Sequence, residues 1–281
     1  MEKQLSLSAK LLLFGAGALA FVAGPILFFF PTQTESYFAW TINHPLTPIF
    51  MGANYLGGLG ALWALQINRW SAARVQMPGI FVFAVTQLFA TLLHIPIFNW
   101  SHPIAWAWLF VYISSPVAAL LVYRAMEKDY VAPADQSQPV PDRFALIFQT
   151  FAVISALFGI GLIIWPFLYS APNQGSAVPW WAWKLTPLTA HVAGGWYLAA
   201  ATLYYTLSRQ RTIGTTGPAL LALMIVTGTQ LVGALIWLKA FDGSPIFIFL
   251  YLLNSIAVFA FSVFIFRRNL ASSRTMPSHS S

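Results

Sequence analysis

The sequence has no cysteine and very little charge. Of its 281 residues, 14 are Lys or Arg and 7 are Asp or Glu, so charged residues make up 7% of the chain, against about 25% in soluble domains. Hydrophobic residues make up 58%, and the mean hydropathy is +0.70. Because so few charges cannot cover a water-facing surface, we expect a membrane protein, not a soluble enzyme or a nucleic-acid binder. The lack of cysteine excludes disulfides, thiolate nucleophiles and cysteine-ligated metals.

Uncharged apolar segments recur along the chain. Each is close to the roughly 20 residues that cross a hydrocarbon core about 30 Å thick. Because lipid offers no hydrogen bonds to the backbone, each segment is predicted to be a helix. The sequence therefore predicts an all-α polytopic protein with eight transmembrane helices, near residues 11–30, 47–66, 77–95, 104–123, 145–168, 188–207, 217–238 and 245–266.

The basic residues predict the orientation of these helices, since Lys and Arg near the ends of spans stay in the cytoplasm. With eight spans, only Lys184 and Lys239 fall on one side of the membrane. Both termini are therefore predicted to be cytoplasmic, in the cell (inner) membrane. The basic residues on the cytoplasmic side are Lys3, Lys10, Arg69, Arg74, Arg124, Lys128, Arg143, Arg209, Arg211, Arg267, Arg268 and Arg274.

An internal repeat relates the two halves of the chain. We predict two parallel four-helix units, residues 1–125 and 144–268, joined by a cytoplasmic linker at 126–143 and followed by a disordered cytoplasmic tail at 269–281. Because each unit has an even number of spans, the pseudo-two-fold axis should stand along the membrane normal. The matching motifs are Pro45-Leu46-Thr47 with Gly52 and Tyr55 against Pro187-Leu188-Thr189 with Gly194 and Tyr197, and Thr86-Gln87-Leu88 against Thr229-Gln230-Leu231.

The spans contain no Asp, Glu, Lys or Arg in their central parts. This absence argues against an ion-driven transporter, which needs ionisable groups within the membrane. The chain also lacks the P-loop, H-E-x-x-H and G-x-S-x-G motifs. Glu35 and Asp242 are the only acids predicted outside. We therefore favour a protein that is not an enzyme.

Neutral polar and aromatic side chains are the candidates for a binding site. Gln87 and Gln230 are duplicated and near mid-membrane, where an amide needs a partner; they either hydrogen-bond between helices or form a polar spot that contacts a substrate. Tryptophan is concentrated in the predicted outer half, where it either anchors loops to the leaflet or lines a pocket for an apolar molecule. The candidate binding residues are Gln87, Gln230, Asn54, Tyr55, Tyr197 and Trp183.

Four histidines, His44, His94, His102 and His191, are predicted at the outer level of the membrane. Imidazole is a common ligand of copper, zinc and haem iron. Against this reading, no two of them are closely spaced in the sequence, and the repeat does not duplicate them: Trp237 takes the place of His94. They are weak candidates for metal ligands.

Three functional hypotheses follow. The preferred one is a protein without a cofactor that binds or passively transports a neutral or apolar small molecule, such as a lipid, an isoprenoid or a quinone-like compound, through an outward-facing aromatic cavity. The second is a non-catalytic structural subunit of a membrane complex, with membrane-protein partners or as a homo-oligomer. The third is a membrane protein that holds a metal or haem with its histidines.

Overall fold

The computed structural model describes residues 2–131, 141–169, 178–210, 212 and 215–274, with side chains as far as residue 268. These residues form helices and no strand. Residues 132–140 of the predicted linker and residues 275–281 of the predicted tail lie outside the described residues. The α-helices are α1 (Leu7–Phe29), α2 (Thr34–Tyr37), α3 (Leu46–Leu56), α4 (Leu59–Ile67), α5 (Trp70–Ala73), α6 (Met77–Leu93), α7 (Pro103–Glu127), α8 (Asp142–Tyr169), α9 (Pro187–Ser208), α10 (Gly217–Ile236) and α11 (Pro245–Arg274).

Each of the eight apolar segments contains a helix, and the second is divided into α3 and α4. Helix α11 continues to Arg274, into the segment that the sequence predicts to be disordered. Five of the described helices, α1, α7, α8, α10 and α11, are long and apolar enough to cross a membrane. Large apolar side chains are exposed along α1, α7 and α8, as at Phe21, Phe110 and Leu157. Such a surface is compatible with a multi-pass membrane protein.

The helices pack in pairs. Helix α1 packs on α3 and α4, α8 packs on α9, α6 packs on α7, and α10 packs on α11. Further contacts join the first half of the chain to the second: α6 packs against α9, α10 packs against α3, α4 and α5, and α3 contacts α9. The helix contacts between the halves therefore include α3, α4, α5, α6, α9 and α10.

Glycine pairs allow close helix crossings in both halves of the chain. Where α1 crosses α3, a Cβ atom added to Gly52 would lie 2.7 Å from the carbonyl oxygen of Gly24. Where α8 crosses α9, a Cβ atom added to Gly194 would lie 2.9 Å from the carbonyl oxygen of Gly159. Helices in lipid associate through such direct packing of backbones, because lipid tails are as apolar as the side chains they would replace.

A cluster of polar side chains lies at the C-terminal end of α7. The carboxylate of Glu127 accepts hydrogen bonds from both Nε and Nη2 of Arg74, each at 2.9 Å, and from Nε1 of Trp70 at 2.8 Å. The Lys3 ammonium donates to the backbone carbonyls of Met126 and Lys128 at 2.8 and 2.7 Å. These carbonyls lie at a helix C-terminus, which favours a cation, so the N-terminal segment and α5 are held against α7.

We expect Gly194→Ala to destabilise the protein by about 1–3 kcal/mol, because the added methyl group would force α8 and α9 apart. The matched control is Gly15→Ala, since a Cβ atom at Gly15 would meet nothing within 4 Å, and alanine is favoured over glycine in a helix by roughly 1 kcal/mol. Reversible unfolding of the purified protein in mixed micelles measures both. Equal stability of the two variants would contradict close packing at Gly194.

Candidate functional site

The aromatic residues near the α3 and α9 N-termini form a packed layer. Trp40 and Trp183 are fully buried, and Trp40 makes an edge-on contact with Trp108 at 5.0 Å between ring centroids. The indole N–H of Trp183 donates to the hydroxyl of Thr47 at 2.9 Å. This layer is filled with side chains, so Trp183 is a core residue that joins the two halves and lines no described cavity.

A cavity of about 210 Å³ lies deeper in the helix bundle. Small residues on α4, α6 and α9 provide its space: Ala61, Gly79, Ala199 and Ala200. Its wall also includes Gly57 and Gly58, where amides donate three residues back, to the carbonyls of Asn54 and Tyr55 at 3.2 and 2.8 Å. This tight turn divides α3 from α4. The sequence predicts an outward-facing aromatic cavity, whereas this cavity lies beneath the aromatic layer.

Four of the six predicted binding residues line this central cavity: Asn54, Tyr55, Tyr197 and Gln230. The side-chain amide of Asn54 donates to the backbone carbonyl of Phe50 at 2.7 Å, within its own helix. The hydroxyls of Tyr55 and Tyr112 are 2.7 Å apart and hydrogen-bonded. The ring of Tyr197 stacks on Phe50, with centroids 6.0 Å apart. The cavity wall thus combines aromatic faces with neutral polar groups.

The two duplicated glutamines lie between different pairs of helices. Gln87 is fully buried between α6 and α9, where its amide donates to the backbone carbonyl of Val192 at 3.1 Å. Gly195 leaves room for it, since a Cβ atom there would lie 2.6 Å from Nε2 of Gln87. Gln230 lies between α10 and α11, where its Oε1 is 3.4 Å from the hydroxyl of Ser255. Gln87 is therefore an interhelical contact, whereas Gln230 faces the cavity.

The histidines pair in ways that their sequence spacing does not indicate. Nε2 of His94 lies 2.7 Å from Nδ1 of His191, and Nε2 of His191 lies 3.0 Å from the carbonyl oxygen of Ile163. His102 caps α7, its Nδ1 accepting from the amide of Ile104 at 3.3 Å. Across the described ranges, no three His, Asp or Glu side chains converge as a metal site would require.

His44 belongs to a polar cluster that joins the halves outside the helices. Its Nε2 lies 3.3 Å from the carboxylate of Asp242, which also pairs with the Lys184 ammonium at 3.2 Å. Burial lowers the pKa of His44, although the carboxylate opposes this. Burial raises the pKa of Asp242, but hydrogen bonds from the amide and ammonium of Lys184 outweigh it, so the net shift is downward. At neutral pH a neutral imidazole therefore contacts an ionised carboxylate.

Several cavity residues carry no clear signal in the sequence. Trp196, Tyr204 and Asn254 all line the central cavity, and the indole N–H of Trp196 is buried without a hydrogen-bond partner in the described structure. Asn254 precedes Ser255 in an otherwise apolar segment of the sequence, and neither residue belongs to a repeated motif. Their grouping depends on which helices meet, which no local pattern encodes.

Comparisons of the chain with protein-family models, with curated proteins and with solved structures found no match. Its function is therefore inferred from its own geometry.

We expect Gln87→Leu to lower the free energy of unfolding by about 1 kcal/mol, because it removes a buried interhelical hydrogen bond. Gln230→Leu is the matched variant, and its effect on stability should be smaller because the hydrogen bond that Gln230 accepts from Ser255 is long, at 3.4 Å. Unfolding in mixed micelles compares the two. A larger loss for Gln230→Leu would contradict the assignment of Gln87 to a structural role.

Proposed function

We propose that this chain is an eight-span membrane protein built from two like-oriented four-helix repeats. Three pairs of contacts support the relation: α1 with α3 corresponds to α8 with α9, α6 with α7 corresponds to α10 with α11, and α6 with α9 corresponds to α10 with α3. The glycine crossings Gly24–Gly52 and Gly159–Gly194 also occupy matching positions. Repeats of this kind are common in membrane proteins.

Helices α3, α4 and α9 are shorter or less apolar than a typical transmembrane span, but they are compatible with this proposal. Helix α9 has 22 residues, most of them buried by protein, so its surface is not required to be as apolar as one that faces lipid. Helices α3 and α4 together cover residues 46–67, which at about 1.5 Å per residue reaches across a hydrocarbon core of roughly 30 Å.

The proposed topology places Ser101 outside and Val131 in the cytoplasm. Because the chain has no cysteine, Ser101→Cys and Val131→Cys each introduce a unique thiol at an exposed site. In intact cells a membrane-impermeant maleimide should label Ser101→Cys only, and permeabilised cells should allow labelling of both. Labelling of Val131→Cys in intact cells would show that the orientation is opposite to the proposed one.

We propose that the central cavity binds, or passively conducts, a neutral or apolar small molecule. The observation that carries this proposal is the composition of its wall, which, among the residues that the structure describes, has aromatic rings, small residues and amides but no Asp, Glu, Lys, Arg or His. An ion would be desolvated there without a counter-charge, which costs far more than burying a neutral molecule. Apolar cavities of about 150 Å³ admit benzene, so about 210 Å³ accommodates one substituted ring.

Binding is favoured over catalysis for a chemical reason. The polar groups of the wall are phenols, amides, hydroxyls and an indole. None of these is an activated nucleophile next to a base, which covalent catalysis needs. The cavity can hold and orient a neutral molecule through dispersion and one or two hydrogen bonds, which suits a carrier or a binding protein.

The test fills the cavity. Ala200→Phe places a ring in the space, and Ala107→Phe is the matched control because Ala107 is exposed on α7. We expect 4-ethylphenol, a ring without a long tail, to raise the melting temperature of the wild type and of Ala107→Phe by mass action, but not that of Ala200→Phe. A wild type that gains no stability from the probe, or an equal gain in all three proteins, would refute the site.

A further inference from the structure

A second hollow lies beside the central cavity, between α8 and α11. Helix α8 packs on α9 and α11 packs on α10, which leaves a groove of about 250 Å³ between the two outer helices. At one end of the groove α8 and α11 contact each other, since Phe144 and Phe148 pack against Phe261. The groove is therefore the part of the α8–α11 boundary where the two helices are separated.

The open side of this groove faces the outside of the helix bundle. Ile154 on α8 and Leu250 and Leu253 on α11 line it and are 39%, 38% and 46% exposed. In the proposed membrane arrangement these apolar side chains face acyl chains. The aromatic layer, which includes Trp181, covers one end of the groove. The groove is therefore open on its lateral side, towards the bilayer of the proposed arrangement.

Two polar residues, Tyr197 and Asn254, line both the groove and the central cavity. Neither side chain makes a hydrogen bond to any described residue. Polar groups inside a protein usually have partners, because an unmade hydrogen bond is costly. Unlike the Trp196 indole N–H, which is buried without a partner, Tyr197 and Asn254 are only partly buried, so a hydrogen-bonding molecule in either space can reach them.

In the first half of the chain, the residues at the corresponding positions hydrogen-bond to each other. Tyr55 matches Tyr197 in the repeat, and Tyr112 follows Pro103 along α7 at the same spacing as Asn254 follows Pro245 along α11. Tyr55 and Tyr112 bond to each other at 2.7 Å. The corresponding pair in the second half lacks this mutual bond, and it lies where the groove and the cavity meet.

We propose that the α8–α11 groove admits a ligand from the lipid phase, and that Tyr197 and Asn254 bind the oxygen of its ring-shaped head. This inference deepens the proposed function and rests on it. The ring lies in the central cavity, and an apolar chain extends through the groove between Phe158 and Leu250 into the bilayer. The ligand class is a neutral ring with a hydroxyl or carbonyl oxygen and an apolar tail.

The chemistry of the two residues selects this class. A phenol and a carboxamide both donate and accept hydrogen bonds, so they can bind either a hydroxyl or a carbonyl oxygen. The groove lining contains no charged side chain, which disfavours a phosphate or a carboxylate. The remaining walls are aromatic or aliphatic and suit a hydrocarbon tail.

The experiment uses the full chain in nanodiscs and three probes: 4-decylphenol, decylbenzoquinone and decylbenzene, which has no oxygen. We expect the wild type to bind at least one of the oxygen-bearing probes about tenfold more tightly than decylbenzene, the effect of one well-made buried hydrogen bond. Asn254→Leu and Tyr197→Phe should each reduce this preference, whereas Tyr112→Phe, the matched variant in the first half, should retain it.

A second arm tests the groove itself. Ala257 lines the groove and not the central cavity, so Ala257→Phe should weaken binding of the decyl probes at least tenfold and leave the tail-less 4-ethylphenol unaffected, with Ala107→Phe as control. If Ala257→Phe and Asn254→Leu bind the decyl probes like the wild type while Ala200→Phe abolishes binding, the groove is not used and the proposed function survives. If 4-ethylphenol fails to bind the wild type, the proposed function falls as well.

Discussion

A polar group in a largely apolar bundle has to find its partner within the protein, and this constraint accounts for most of the contacts described above. The Trp183 indole bonds to the Thr47 hydroxyl and the Gln87 amide to the Val192 carbonyl, each across the boundary between the halves. These bonds fix which helices meet and in what register. The constraint is not met everywhere in the described structure, since Nε1 of Trp40 and Oε1 of Gln87 are buried without a partner in filled parts of the core. Tyr197 and Asn254 differ from these groups because they line empty space, where a ligand can reach them.

Small residues have two opposite effects in this bundle. Where two glycines face each other, as at Gly159 and Gly194, the missing side chains let the backbones touch. Where a small residue faces larger neighbours that cannot approach further, as at Ala200 on the central cavity, the missing volume stays empty. Close crossings at one level hold the helices rigidly, and this rigidity keeps the space open at another level. A cavity formed in this way is preformed, so that a ligand does not have to displace packed side chains.

The helices could be predicted from the sequence and most of the site could not. Uncharged apolar runs are local signals, and lipid permits only helical backbone, so the helix positions follow from composition. The helix ends are less predictable, since α9 begins with a capping box in which Thr186 is the cap and Thr189 is its partner. Asn54, Tyr55, Tyr197 and Gln230 were proposed because they are polar or duplicated, and they line one cavity. Gln87 and Trp183 were proposed as well, but Gln87 is packed between α6 and α9, and Trp183, in the segment before α9, is buried against Thr47. Which side of a residue is filled depends on how distant segments meet.

The proposed repeat conserves geometry while its chemistry diverges. Matching helices pack on matching partners, yet Asn54 in one half corresponds to Trp196 in the other, and Tyr112 corresponds to Asn254. A cavity with the same polar groups on both sides would bind a ring equally well in two orientations. Because the Tyr55 hydroxyl is engaged by Tyr112, the open hydrogen-bonding positions at the groove belong to the second half. A ligand of the proposed class with a single oxygen would therefore have one preferred orientation, with its tail towards the groove, and the differences between the proposed repeats would set that direction.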